Sequence, residues 1–248
     1  MYLIAVKSFA KRVDVNEVYL VDDGLTEADR ATLLEHIRGI HILDIANYRR
    51  QHCPSGGTWE RLLAIAELNA SRYVVQLDSD TLSIGPLNKI STCVAQSTSF
   101  VIGTYDHQDF DTMTAHQVAG AESAKIHHHI QALAEASFDK LHGFPNMRYV
   151  RGCSGFTGFR PGALSVEMVQ DLSEQMYAAV GPRWNEWGTE QVMSNLLVSN
   201  SGPAIVLPHP EYCNCTAISN KTEFIHFIGY CRFKGNTYAR LANGFIGA

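Results

Sequence analysis

The chain has no excess of positive charge: 20 Lys and Arg stand against 25 Asp and Glu in 248 residues, a net charge of -5 at pH 7. Proteins that neutralise phosphate backbones carry the opposite balance, so no nucleic-acid partner is expected. No apolar run approaches the ~20 residues that span a bilayer. The N-terminus also lacks the layout of a secretory leader, and the expected location is cytoplasmic. The six cysteines (Cys53, Cys93, Cys153, Cys213, Cys215 and Cys231) contain no Cys-x-x-Cys pair. That excludes a zinc ribbon and a disulfide scaffold from the reading and makes reduced thiols the expectation. A Gly-rich phosphate loop near the N-terminus is missing as well. What remains is ordinary globular stuff, 46% hydrophobic and 18% charged, and a length that suits one large domain spanning 1–248.

The informative stretch is Tyr73-Val74-Val75-Gln76-Leu77-Asp78-Ser79-Asp80-Thr81-Leu82. A short apolar run without helical period predicts a buried strand. It ends in two carboxylates. In an α/β sheet the ligand crevice lies off the carboxyl ends of strands. Two acids spaced two apart in an extended segment point the same way, and two hard oxygen donors suit Mn2+ or Mg2+ completed by substrate phosphate. The rest of the chain alternates strands and helices. Met1 to Lys11 predicts an amphipathic helix through Leu3, Ile4, Val6 and Phe9. Val18 to Val21 predicts a strand ending in Asp22-Asp23-Gly24, followed by a helix capped from Thr26. Residues 106–141 form a His- and Ala-rich segment read as a helical insertion. Its His127-His128-His129 run points in different directions on a helix and cannot ligate one ion.

Leu77-Asp78-Ser79-Asp80-Thr81-Leu82 followed by Gly85-Pro86-Leu87 resembles the Asp-x-Asp segment of GT-A-fold glycosyltransferases. The likeness is greatest to the glycogenin and lipopolysaccharide galactosyltransferase group, glycosyltransferase family 8. Phe224-Ile225-His226-Phe227-Ile228-Gly229, with Arg232 and Lys234 beyond it, resembles that group's C-terminal His-Phe-x-Gly-x-x-Lys segment. The resemblance implies an α/β fold: a single GT-A domain with a mostly parallel central sheet flanked by helices, whose first strand is not found here. It implies Asp78, Asp80 and His226 as ligands of Mn2+ or Mg2+. Contacts to a nucleotide-sugar donor, expected to be a UDP-sugar, fall to Asp23, Arg61, Ser154, Gly155, Gly229 and Lys234. Glu190 and Gln191, at a helix start, match the group's acidic residue-Gln pair and become the catalytic candidates, with Asn195 matching a later Asn. Two departures are visible: Cys153 stands where the group has Asn, and Phe233-Lys234-Gly235 replaces Lys-Pro-Trp. The acceptor, a glycan, lipid or protein, is left open, as is a homo-oligomeric state.

Three other readings use the same residues. The Leu77-Asp78-Ser79-Asp80-Thr81 stretch also satisfies the nucleophile motif of haloacid-dehalogenase phosphatases, with Asp78 as covalent phosphate acceptor. That family expects the motif near the N-terminus and an acidic pair later, and neither condition is met. A sugar nucleotidyltransferase would need the phosphate loop already noted as missing. A catalytically silent binding or structural module is the alternative outside enzymes.

Overall fold

A computed structural model describes residues 1–247 and has the expected α/β architecture. The chain opens with α1 (Tyr2–Ala10), β1 (Val18–Asp22), α2 (Glu27–His36), β2 (Ile40–Asp44), α3 (Trp59–Leu68), β3 (Val74–Leu77), β4 (Thr81–Ser83), α4 (Asn88–Ala95) and β5 (Ser99–Ile102). Next come β6 (Asp111–Thr112), α5 (Met113–Ala124), α6 (Ile130–Ala136) and β7 (Arg148–Tyr149). The second half consists of β8 (Cys153–Phe159), α7 (Val166–Val180), α8 (Thr189–Ser199), β9 (Ala204–Leu207), β10 (Tyr212–Asn214), β11 (Phe224–His226) and α9 (Thr237–Ile246).

Strand pairing is mixed, where the sequence reading has it mostly parallel. The central sheet runs β3-β8-β5-β9, and a smaller one runs β10-β11-β4. Strand β8 is antiparallel to both neighbours and β4 is antiparallel to β11, while β1–β2, β5–β9 and β10–β11 are parallel. Parallel pairs need a crossover connection, usually a helix, as α2 provides between β1 and β2. The core lies on the two faces of the central sheet. On one face Trp59, Leu62, Phe159, Trp184, Met193 and Leu196 pack together. On the other, Phe100, Phe156, Tyr212 and Phe224 form an aromatic stack with α1 and α4 over it.

Strand β3 departs from expectation. It is half-buried, and β8 is its only partner among the described residues. Residues of β1 and β3 line a common cavity of about 760 Å³, among them Val18 to Val21 and Tyr73 to Leu77.

A second departure concerns the thiols. Cys215 and Cys231 form a disulfide, with their Cα atoms 6.0 Å apart and 16 positions apart in sequence. The reduced-thiol expectation is corrected for this pair; Cys53, Cys93, Cys153 and Cys213 are free. The bond ties the segment after β10 to the 3-10 turn Gly229–Arg232. No described helix is long and apolar enough to cross a membrane.

The predicted cap of α2 is a full capping box: Asp29 N donates to Thr26 Oγ1 at 3.1 Å, and Thr26 N donates to Asp29 Oδ2 at 3.1 Å. Thr26→Ala removes one half of it and is expected to lower the urea-unfolding free energy by about 1 kcal/mol. Because α2 contributes only Leu33 to the buried set, catalysis is the readout that should not follow that change.

Candidate functional site

Three carboxylates, two guanidiniums and an imidazole converge where β3, β4, β8 and β11 meet. Asp78, Ser79 and Asp80 form a turn rather than extended strand. The Asp78 carbonyl accepts from Thr81 N at 3.2 Å and from Thr81 Oγ1 at 2.8 Å. The turn is pinned at both ends: Asp78 N donates to Gly155 O at 2.9 Å, and Phe227 N donates to Asp80 O at 2.8 Å. In the β11–β4 register His226 lies opposite Thr81, the residue after Asp80. Convergence of the two acids with the imidazole is therefore a product of that turn and that register.

Each acid divides its two oxygens. Asp78 Oδ1 is ion-paired with Arg61, and Asp80 Oδ2 accepts from Arg232 Nε at 2.8 Å. The remaining oxygens face His226 Nε2, Asp80 Oδ1 at 3.1 Å and Asp78 Oδ2 at 3.5 Å. On the far side of the ring, Nδ1 lies 3.2 Å from Cys153 Sγ. One face of the imidazole rests on Gly155, where a Cβ would come 2.1 Å from Cε1. Only glycine leaves room for the ring.

These contacts fix the protonation tendencies. Burial works to raise the Asp78 pKa, and Arg61 and His226 outweigh it, holding the carboxyl well below the usual range. Asp80 is lowered in the same way, burial being overcome by His226 and Arg232. For His226, burial opposes the charged form, but Cys153, Asp78 and Asp80 raise its pKa well above the ordinary value. Glu190 moves the other way. Burial raises its pKa, and Arg61 only partly offsets this.

Glu190 is held from two sides. Its Oε2 accepts from Thr58 Oγ1 at 2.9 Å and from Ser154 Oγ at 3.1 Å. Its Oε1 is buried without a hydrogen-bond partner, 3.8 Å from Arg61 Nη2. Thr58 sits in the left-handed region (φ 77°) at the start of α3, a conformation that costs on the order of 1 kcal/mol and recurs at functional sites. Glu190→Gln keeps the shape and removes the buried charge. A carboxyl with a raised folded pKa stabilises fully below its unfolded pKa and loses that contribution as pH rises through the folded value. The Gln variant is therefore expected to match or exceed the parent in Tm at pH 7, by about 2 °C, with the difference shrinking toward pH 4.5. Calorimetric scans at both pH values check the sign.

No protein-family profile matches this chain, and no curated protein matches it in sequence. Among solved structures, the apo form of mouse xyloside xylosyltransferase 1 is similar over 91% of this chain and 90% of that one, with a TM-score of 0.48 and 11% identity.

Asp78 Oδ2, Asp80 Oδ1 and His226 Nε2 belong to a group whose ligand atoms all lie within 4.8 Å of one another. Two hard oxygens and one imidazole nitrogen fit a small divalent cation such as Mn2+ or Mg2+. Of the residues expected to contact a donor, Arg61, Ser154 and Gly155 are at this centre. Asp23 lines the 760 Å³ cavity together with Arg61 and Ser79. Gly229 is exposed and opens the 3-10 turn, with φ of 48°. Lys234 is exposed, its ammonium 5.6 Å from the Tyr230 ring centroid, and takes part in no ion pair among the described residues. Gln191 lines a second cavity of about 570 Å³, as do Cys153 and His226. Asn195 is buried and donates to Gly152 O at 3.0 Å. Asp22 holds its own turn through Gly24 N and Leu25 N, at 2.9 and 2.6 Å. Sequence reasoning passed over Thr58 and did not give Arg232 the Asp80 contact. The Gly56-Gly57-Thr58 entry to α3 is the signal that marks the first; nothing in the residue pattern separates Arg232 from Lys234.

Proposed function

We propose that the protein is a divalent-metal-dependent glycosyltransferase that moves a sugar from a nucleotide-diphosphate donor, a uridine one in this reading, to an acceptor hydroxyl. The observation that carries it is the inward-facing trio of Asp78 Oδ2, Asp80 Oδ1 and His226 Nε2. A divalent ion held there supplies Lewis-acid stabilisation of the charge that develops on a departing diphosphate.

The protein's own groups work around that point. Arg61 and Arg232 fix the outer carboxylate oxygens, and their guanidiniums add positive charge beside the leaving group, where preorganised charge is worth most. Lys234, two residues beyond Arg232, is free to add a further cation as the turn meets diphosphate. Asp23 and Ser79 line the 760 Å³ cavity, which in this reading takes the nucleoside. Ser154 and Gly155 form the floor under the sugar. Glu190, anchored by Thr58 and Ser154, presents its unpartnered oxygen to the transferred ring, and Gln191 faces the acceptor side.

The test is nucleoside-diphosphate release from a panel of nucleotide sugars with MnCl2. Release from at least one uridine-linked sugar, lost on adding EDTA, is the expected result. Phosphate release from simple monoesters without such turnover would point to the phosphatase chemistry of Asp78 instead. Absence of both, with no metal-dependent UDP binding, would leave a silent module.

A further inference from the structure

The 570 Å³ cavity is lined by His226 and Cys153 and by two large exposed aromatics, Tyr105 and Trp187. Tyr105 is 79% exposed and Trp187 is 76% exposed. Single exposed aromatics are common and call for no explanation. Two lining one cavity that His226 also lines are a different matter. The chain's other tryptophans, Trp59 and Trp184, are fully buried.

Apolar residues such as Ile102, Ala217 and Ile228 share the lining with polar ones. Gln131, Arg151, Gln191 and Asn214 contribute amide and guanidinium groups. Arg151 is held in place by Glu135 at 3.1 Å, and Gln131 Nε2 donates to the same carboxylate oxygen at 3.0 Å. The 106–141 segment thus contributes Gln131 to this cavity and, through Glu135, a partner that positions Arg151. Flat aromatic faces over a ring of amide and guanidinium groups suit a pyranose, whose C–H face is apolar and whose rim carries hydroxyls.

We infer that this cavity binds a saccharide acceptor, one ring stacked on Trp187 with Tyr105 on the opposing wall, its hydroxyls read by Gln131, Arg151, Gln191 and Asn214. The inference rests on the transferase reading, because it names the acceptor for the same centre.

Trp187 is the only exposed tryptophan of the three, so acrylamide quenching of intrinsic fluorescence reports on it. The probes are gluco-, galacto- and xylo-oligosaccharides and their methyl glycosides, each titrated into the full chain with UDP and MnCl2. At least one should protect Trp187, lowering the quenching constant about twofold. Trp187→Ala is then expected to raise the transfer KM for that saccharide about tenfold, the size of one lost aromatic stacking contact. Unchanged quenching with every saccharide overturns the inference, as does protection by a polyisoprenyl phosphate or an unglycosylated peptide alone. Donor hydrolysis by the parent protein without any acceptor separates the two failures. If hydrolysis occurs and Trp187 stays unprotected, the acceptor assignment alone fails; if no nucleotide sugar is turned over, both fall.

Discussion

Asp78→Asn is expected to lower metal-dependent turnover of the nucleotide sugar on the order of 10³-fold, the scale set by removing one preorganised charged group from an active centre. Asparagine keeps the size of the side chain and removes its charge. The candidate metal site loses one negative charge, and Arg61 no longer faces a carboxylate at Asp78 Oδ1. The effect on folding is smaller. Both partners of that ion pair are 26% exposed at the side chain, so water compensates part of the loss, and about 1–2 kcal/mol is expected rather than the cost of a sealed pair. Initial rates across a range of MnCl2 concentrations, set beside thermal unfolding, separate the two effects. Parent-like rates at every metal concentration would remove Asp78 from the centre.

Gly155→Ala tests the same geometry from the backbone side. The new methyl would lie 2.1 Å from Cε1, 2.6 Å from Nδ1 and 2.8 Å from Nε2 of His226. The ring cannot stay where it is. It is hemmed in by Cys153 on one edge and the two aspartates on the other, so relief requires it to swing away from the carboxylates. Overpacking of this kind costs about 1–3 kcal/mol, and losing the orientation of a ligand costs roughly 10- to 100-fold in metal affinity. Calorimetric titration with MnCl2 reads the second quantity and urea unfolding the first. In the double variant Gly155→Ala with His226→Ala, the methyl fills space the imidazole has vacated. Stability should recover relative to Gly155→Ala alone while Mn2+ affinity stays low, a non-additivity that only direct contact produces.

Much of this centre was legible because its parts announce themselves locally. An apolar run ending in Asp78-Ser79-Asp80, a second run ending in His226, and a helix start carrying Glu190 are each short patterns with a physical meaning. Their meeting is a matter of register: His226 falls opposite Thr81 because β11 pairs antiparallel with β4, and no residue in either strand states that partner. The Asp78-Ser79-Asp80 turn was hidden for a related reason. Its bonds come from Thr81, Gly155 and Phe227, two of them distant in sequence, whereas spacing alone favours an extended reading. Strand β3 has central-strand composition and yet lies at an edge, since pairing rather than composition decides which strands are sealed. The Cys215–Cys231 bond joins positions with no recognisable spacing, so only proximity in the fold reveals it. The choice of Arg232 over Lys234 against Asp80 turns on the pitch of one 3-10 turn, below what residue order conveys.

The most direct test of the account is an anomalous difference map from a crystal soaked in MnCl2 and UDP. A single Mn2+ peak within coordinating distance of Asp78, Asp80 and His226 Nε2, with UDP diphosphate oxygens completing its shell, is the predicted result. Manganese bound away from these three residues, or UDP ordered in the site with no metal beside it, would contradict it.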